Sequence, residues 1–390
     1  MNYYIQADAF FYPYEKKGAG FLEIKDGRFG KWQAQRPESG EIRDYRGYWV
    51  SPGLVDTHIH GFAGVDVMDK DIDGILTTMS EGLLSTGVTS FLPTTLTADT
   101  GDLRQVAEQI GTRYQEAKGA KIQGIYFEGP YFTEEFKGAQ NPAYMKDPNL
   151  EEFRDWQQAA HGHIRKIALA PERDGVEEFV KTLTQEGVTV ALGHSNATFD
   201  QARAAVQAGA SVWVHAYNGM RGLTHRELGM VGAMYQLPHT FAELICDGHH
   251  VHPGACQILL DQKGLDQVAL ITDCMRAGGM PDGDYQLGDF PVLVHEGTAR
   301  LKDSGSLAGS ILQLKDGVKN VVEWGLGNPE EALRMATLNP ALSVGLEDDC
   351  GQIRPGAAAD FLIWTPQLDL HATYLDGQLR FQATSEGKVE

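Results

Sequence analysis

The hydrophobic positions along this chain fall into three regimes. Over residues 1–50, stretches such as YYIQADAFFY and GAGFLEIKDGRFG are rich in aromatic and β-branched residues, broken by glycine and by the Asp26-Gly27 pair. Short runs of this kind around an Asp-Gly turn predict antiparallel strands. The pattern returns near the other end, in DFLIWTP and in LHATYLDGQLRF with a second Asp-Gly pair. Two β-rich ends around a long middle predict a small β-sandwich module formed by both termini, over residues 1–52 and 349–390.

The middle, residues 53–348, alternates apolar runs with amphipathic stretches of helical length. Eight runs read as strands: WVSPGLVDTHIH, VTSFLPTT, IQGIYFEGP, IRKIALAPE, VTVALGHS, SVWVHAYNG, TFAELICDG and VALITDCM. Between them lie GILTTMSEGLLSTG, DLRQVAEQIGTRYQEAKG, VEEFVKTLTQEG and FDQARAAVQAGA, with apolar residues three and four apart and glycine near the end. That spacing and those stops predict helices. Eight strands alternating with helices predict an α/β fold, a (β/α)8 TIM-like barrel.

Size and charge narrow the picture. A barrel of this type takes roughly 250 residues, so a chain of 390 leaves room for the terminal module. The formal net charge of −20 repels polyphosphate and argues against nucleic acid as a partner. An anionic substrate would need a local cationic pocket working against that field. The four cysteines form no CxxC pair, as expected in a reducing compartment. The opening stretch has no basic segment followed by an apolar one, and no apolar run reaches 18 residues. The expectation is a cytoplasmic protein without a membrane span.

In such barrels the chemistry sits at the C-terminal ends of the strands, and here six of eight strand candidates end in titratable or metal-capable residues. The first ends in His58 and His60, the third in Glu128, the fifth in His194, the sixth in His215 before Asn218-Gly219, the seventh in Asp247 before His249-His250, and the eighth in Asp273. Residues two apart in a strand point the same way, so His58 and His60 can grip one ion. Glu128, His194 and His215 make a second set of the nitrogen and oxygen donors that Zn²⁺, Fe²⁺, Co²⁺ and Mn²⁺ accept. Glu128 is placed to bridge the two. A lone histidine is more often structural or solvated, and His161, His163, His225, His239, His252, His295 and His371 are read as structural or surface residues. An unpaired carboxylate is costly after an apolar run, which favours functional roles for Glu128 and Asp273. Asp247 can equally be a turn former, and Arg226-Glu227 a surface pair.

At this point the sequence resembles a known family. PGLVDTHIHG looks like the entry strand of the amidohydrolase superfamily. FEGPYF, GAQNP, LGHSNAT, HAYNGM, ICDGHHVHP, ITDCMRAGGMPDGDYQLG, LAGS and ATLNPA resemble its N-acetylglucosamine-6-phosphate deacetylase branch, in order along the chain. The resemblance implies a metal-dependent hydrolase that takes the acetyl group from N-acetylglucosamine 6-phosphate, a small-molecule amino-sugar phosphate. It implies Glu128, His194 and His215 as ligands of the principal metal and Asp273 as acid/base. It implies a sugar-phosphate site formed by Asn218, Gly219, Arg226, Asp247, His249 and His250, with Ala139, Gln140, Leu307, Ala308 and Gly309 lining the pocket. Some relatives lack the second histidine of the HxH pair and keep one metal; with His58 and His60 both present, the resemblance implies one or two divalent ions per subunit, zinc first, with iron, cobalt or manganese as alternatives. Gln140 stands where some relatives carry histidine. The family is typically homodimeric, and a partner subunit would complete the phosphate site.

Four rival readings stand beside this one. Cyclic-amide hydrolases of the same superfamily commonly carry a carboxylated lysine at the end of strand four, but Lys166 comes early in IRKIALAPE. A nucleobase deaminase has no need of the Asn218/Arg226 set. N-acetylgalactosamine 6-phosphate differs from the gluco substrate by one epimeric hydroxyl, whose contact the sequence does not locate. A non-catalytic scaffold homologue would be expected to lose ligands, and this chain keeps them.

Overall fold

The computed structural model describes residues 2–69 and 71–383. The terminal segments 1–52 and 349–390 singled out above therefore extend, at Met1 and over 384–390, outside the described residues.

All eight expected strands form and pair side by side in parallel: β1 Leu54–Ile59, β2 Val88–Thr95, β3 Ile125–Tyr131, β4 Ile164–Leu169, β5 Thr189–Leu192, β6 Val212–Trp213, β7 Phe241–Ile245 and β8 Val268–Ile271. They are buried along nearly their whole length. A parallel sheet covered on both faces demands this, and it is why they read as continuous apolar runs rather than alternations. The barrel closes between β1 and β8 at its C-terminal end, where Asp273 N–H donates to the His58 carbonyl and His60 N–H to the Cys274 carbonyl, both at 2.9 Å.

The intervening helices are capped by residues visible in the sequence. Asp99 caps Thr100–Arg113, Asn149 caps Leu150–Ala159 and Thr198 caps Phe199–Ala208, each side chain accepting from a first-turn N–H. One stretch departs from a regular helix. Residues 74–87 contain a π turn over Ile75–Met79 between short α segments. Thr77 Oγ1 donates to the Asp73 carbonyl at 2.5 Å and Ser80 Oγ to the Leu76 carbonyl at 2.8 Å. Hydroxyls bonded back onto the preceding turn compete for its carbonyls and loosen the regular ladder there.

Both chain ends contribute to one antiparallel-rich sheet. Its central strand, Glu41–Pro52, pairs with Asn2–Phe11 on one side and with Phe361–Trp364 on the other. Asp26 and Gly27 take positive φ of 50° and 77°, as do Asp376 and Gly377 at 47° and 70°; paired positive φ is what an Asp-Gly hairpin turn provides. The sheet curls until the rings of Phe29 and Phe361 stand 6.0 Å apart, enclosing an apolar core with Ile5, Leu22, Val50 and Tyr374. From Pro52 the chain passes directly into β1.

A three-stranded antiparallel sheet after β8 was not expected from the sequence: β9 Gly283–Leu287, β10 Phe290–His295 and β11 Thr298–Leu301. Its signals are nonetheless present. Burial alternates along β10, and Gly288 and Gly297 turn the chain at positive φ. Packed on Leu96, Met275 and Ala308, this sheet stands over the C-terminal mouth of the barrel.

Candidate metal centre

Six side chains from five strand ends converge at that mouth. Glu128 Oε1 lies 3.3 Å from His215 Nε2, 3.4 Å from His194 Nε2 and 3.3 Å from His58 Nε2, while its Oε2 lies 3.3 Å from His60 Nε2. Asp273 Oδ1 lies 3.0 Å from His60 Nε2 and 3.4 Å from His58 Nε2. The six form two ligand groups: Glu128 with His194 and His215, and His58 with His60 and Asp273. Because Glu128 Oε1 faces the first group and His58, and Oε2 faces His60, a single carboxylate joins them. His194, His215 and Asp273 carry positive φ of 46°, 26° and 50°. Backbone strain at three side chains facing one point is of the kind that clusters at functional sites.

Three of the four imidazoles are oriented from behind. His60 Nδ1 lies 3.1 Å from the Thr94 carbonyl, His194 Nδ1 2.8 Å from the Phe136 carbonyl, and His58 Nδ1 3.0 Å from Glu243 Oε2. Each contact leaves Nε2 to face the centre. Burial disfavours charge on His58, yet Glu243, Glu128 and Asp273 outweigh it and hold its pKa at about 9; carboxylates likewise hold His60 well above the usual imidazole range. Burial pushes Glu128 and Asp273 up, and the surrounding imidazoles more than reverse this. The centre is thus a buried place whose carboxylates call for positive charge.

A divalent cation fits that demand. His58 Nε2 is buried without a hydrogen-bond partner although it points at two carboxylates. An orphaned ring nitrogen is costly to bury, and a cation there would satisfy it. Imidazole and carboxylate are donors for zinc and its borderline neighbours.

The centre opens into a cavity of about 370 Å³, within the usual range for small-molecule sites. Of the residues expected at a substrate site, Ala139, Gln140, Asn218, Gly219, His250, Leu307 and Gly309 line it. Gln140 is tied to the centre, donating to Glu128 Oε2 and accepting from Thr97 N–H at 2.8 Å. Asp247 Oδ2 is 2.7 Å from His250 Nδ1. With Nδ1 as donor, His250 Nε2 is left to accept a hydrogen bond when neutral and donates only as imidazolium. Four expected residues stand off the wall. Ala308 is buried under the three-stranded sheet, and Asp247 acts through His250. His249 is exposed beside the Gly297 turn, and Arg226 is exposed in the turn closed by Thr224 N–H and the Glu227 carbonyl at 2.8 Å.

Sequence reasoning missed Leu96, Gly138, Leu287 and Ser306 on the wall, the last two belonging to the unexpected sheet and its exit. It also missed Lys166 and Glu243, both fully buried inside the barrel and paired with each other. The available signal was charge embedded in two apolar strands, Arg165-Lys166 in IRKIAL and Glu243 in FAELI.

Comparison with known proteins gives a consistent picture. A model of the Amidohydrolase family matches residues 49–380. The chain is 42% identical over 343 residues to an N-acetylglucosamine-6-phosphate deacetylase of Vibrio furnissii, covering 87% of this chain and 85% of the relative. It is 42% identical over 331 residues to an N-acetylgalactosamine-6-phosphate deacetylase of Escherichia coli O157:H7, covering 85% and 87%. Among solved structures, a variant N-acetyl-D-glucosamine-6-phosphate deacetylase of Mycobacterium smegmatis in complex with N-acetyl-D-glucosamine-6-phosphate superposes with a TM-score of 0.92. It is 31% identical, over 97% of this chain and 99% of that one.

Proposed function

Because the chain belongs to the amidohydrolase family, we propose that it hydrolyses the acetamide of N-acetylglucosamine 6-phosphate, releasing glucosamine 6-phosphate and acetate. The observation that carries this reading is Glu128 joining two histidine-containing groups at the floor of an open cavity. Relatives named for this deacetylation, spanning most of the chain, support it.

Glu128, His194 and His215 would hold the principal ion, and His58, His60 and Asp273 a second. A divalent ion in such a site polarises an acyl carbonyl and brings the pKa of water from 15.7 down to about 7. Asp273 is the proton carrier: its carboxylate accepts the proton of the attacking water, then gives it to the amine nitrogen as the C–N bond breaks. An amide nitrogen leaves poorly unless protonated, so one group that first accepts and then donates serves both steps. His250, steadied by Asp247, contacts the sugar, with Asn218, Gly219, Ala139, Gln140 and the Leu307–Gly309 stretch around it. Arg226 and His249 reach the 6-phosphate from the rim, where the Arg226 fork suits phosphate oxygens. The phosphate undergoes no bond change and contributes orientation and binding energy.

The same reading takes zinc as the ion, since nitrogen and carboxylate donors suit it. It takes a homodimer as the assembly, because Arg226 stands outside the cavity of a single chain and a neighbouring subunit would enclose it. It takes the cytoplasm as the location, since all four cysteines are free and buried. Residues 1–52 with 349–390 would act as a module bracing the barrel over 53–348.

The test is acetate release by the metal-loaded protein from N-acetylglucosamine 6-phosphate, its galacto epimer and unphosphorylated N-acetylglucosamine. Strong preference for the first supports the reading. Preference for the epimer keeps the chemistry and changes the substrate, and no acetate from any of them with metal bound overturns it.

A further inference from the structure

Beneath the metal centre, inside the barrel, lies a buried polar chain that none of the steps above uses. Glu243 on β7 has Oε2 3.0 Å from His58 Nδ1 on β1. The same oxygen accepts the backbone N–H of His215, just beyond β6, at 3.2 Å. Its Oε1 accepts from Lys166 Nζ on β4. That ammonium lies 3.9 Å from the ring centroid of Tyr126 on β3, and the same ring packs edge-on against His58 with centroids 4.9 Å apart. His58, Tyr126, Lys166 and Glu243 are all fully buried. One carboxylate thus gathers donors from three other parts of the barrel.

We propose that Glu243, backed by Lys166, is a positioning residue that fixes the His58 tautomer and thereby makes the His58–His60–Asp273 group competent to hold a cation. The inference rests on reading that group as a cation site. A carboxylate engaged as Glu243 is can only accept, so the proton of His58 sits on Nδ1. Nε2 is the nitrogen left to face Glu128 and Asp273, where it has no hydrogen-bond partner, and its lone pair is the one a bound cation would take. His60 and His194 obtain the same orientation from main-chain carbonyls, which substitution does not remove. His58 alone depends on a side chain. Lys166 neutralises that side chain and, being engaged with it, is no candidate bridge between ions. Because Glu243 also takes the His215 N–H, it braces the neighbouring ligand group from the same oxygen.

Removing one member of a buried ion pair strands the other, so the test changes both together. Glu243→Gln with Lys166→Met keeps a carbonyl acceptor opposite His58 Nδ1. Glu243→Leu with Lys166→Met removes it at the same change of charge. Zinc per chain and its affinity are measured by dialysis at buffered free zinc, independently of activity. Proton NMR of the zinc-loaded protein follows the slowly exchanging imidazole N–H of His58, identified by its loss in His58→Asn. The unmodified protein and the Gln-containing pair are expected to bind two ions and show this proton. The Leu-containing pair is expected to lose the proton and to bind its second ion about 10–100-fold more weakly, the usual scale for losing a ligand's hydrogen-bond partner. Equal affinity for both ions in the Leu-containing pair overturns the proposal. So does absence of the proton in the unmodified protein, a reading that requires no variant to fold. A single ion in the unmodified protein overturns the cation reading of the His58 group, while the fate of the proton across the two pairs still decides whether Glu243 positions His58.

Discussion

Asp273 Oδ1 stands 3.0 Å from His60 Nε2, so the carboxylate assigned to proton transfer is anchored by a ligand imidazole of the second cation group. Its position is set by two strands at once, because the Asp273 N–H is bonded to the His58 carbonyl where the barrel closes. Asp273→Asn keeps the size of the side chain and an oxygen to face the cation, and it can no longer take up a proton. General acid–base catalysis contributes about 10²–10⁴-fold, and kcat is expected to fall by that order while zinc at the Glu128 group is retained. Turnover close to that of the unmodified protein would remove Asp273 from the proton path.

A second prediction concerns pH. Without metal, His58 titrates near 9 against an ordinary value of 6.5. A raised pKa means that charging His58 stabilises the fold fully below 6.5, and that this contribution disappears as pH rises through 9. The metal-free thermal midpoint is therefore expected to decline between pH 6.5 and 9.5. Zinc must displace protons from His58 and His60, so the stabilisation added by zinc should grow over the same interval. Melting curves with and without chelator across this range check both signs. A flat metal-free profile would contradict the charge balance described for the centre.

Gly219 turns at a φ of +60°, and a Cβ built there would meet His194 Nδ1 at 3.0 Å and the Phe136 carbonyl at 3.3 Å. Those two groups are hydrogen-bonded to each other at 2.8 Å. Gly219→Ala drives a methyl group into that bond and releases the ring it orients. Affinity for the principal ion is expected to fall about 10–100-fold, measured by titration with a competing chelator. Unchanged affinity would show that His194 is held by other means.

Gln140 satisfies Thr97 N–H and Glu128 together. Gln140→Leu leaves the buried amide unpaired, which costs about 1–3 kcal/mol, and frees the second oxygen of Glu128. Urea unfolding should shift by that amount, and kcat/KM should fall with it. Lost activity at full stability would assign Gln140 to the substrate instead of to Glu128.

Arg226 is exposed and makes no core contact, so Arg226→Ala should leave the melting temperature unchanged. The expected change is in KM for the 6-phosphate, with loss of preference over the unphosphorylated sugar. A retained preference would place phosphate recognition on other residues.

The barrel was legible because each of its strands is buried on both faces and so appears as an uninterrupted apolar run. The ligand groups were legible because the runs end in histidine or carboxylate, and because His58 and His60 share a face by their spacing. The Glu243–Lys166 chain was not legible. A charge inside an apolar run shows that a partner must exist, but the partner lies across the lumen on a strand distant in sequence. The three-stranded sheet carried ordinary turn signals at Gly288 and Gly297, but its strands are only four to six residues long and half exposed, which leaves no continuous apolar run. Where Arg226 stands relative to the cavity could not be inferred from its neighbours, since exposed turns have no hydrophobic periodicity to fix them.

The terminal sheet has a consequence for biosynthesis. Strand Glu41–Pro52 finds one neighbour, Asn2–Phe11, almost at once, but its other neighbour is Phe361–Trp364. At roughly 5–20 residues per second, the intervening chain of about 300 residues takes some 15–60 s to translate. Throughout that time Trp49–Pro52, the end of this strand that Phe361–Trp364 covers, lacks its partner on one side, the kind of edge on which chains aggregate. The nascent protein must shield this edge until the barrel is nearly all made, which makes the last strands to emerge the ones that seal the first.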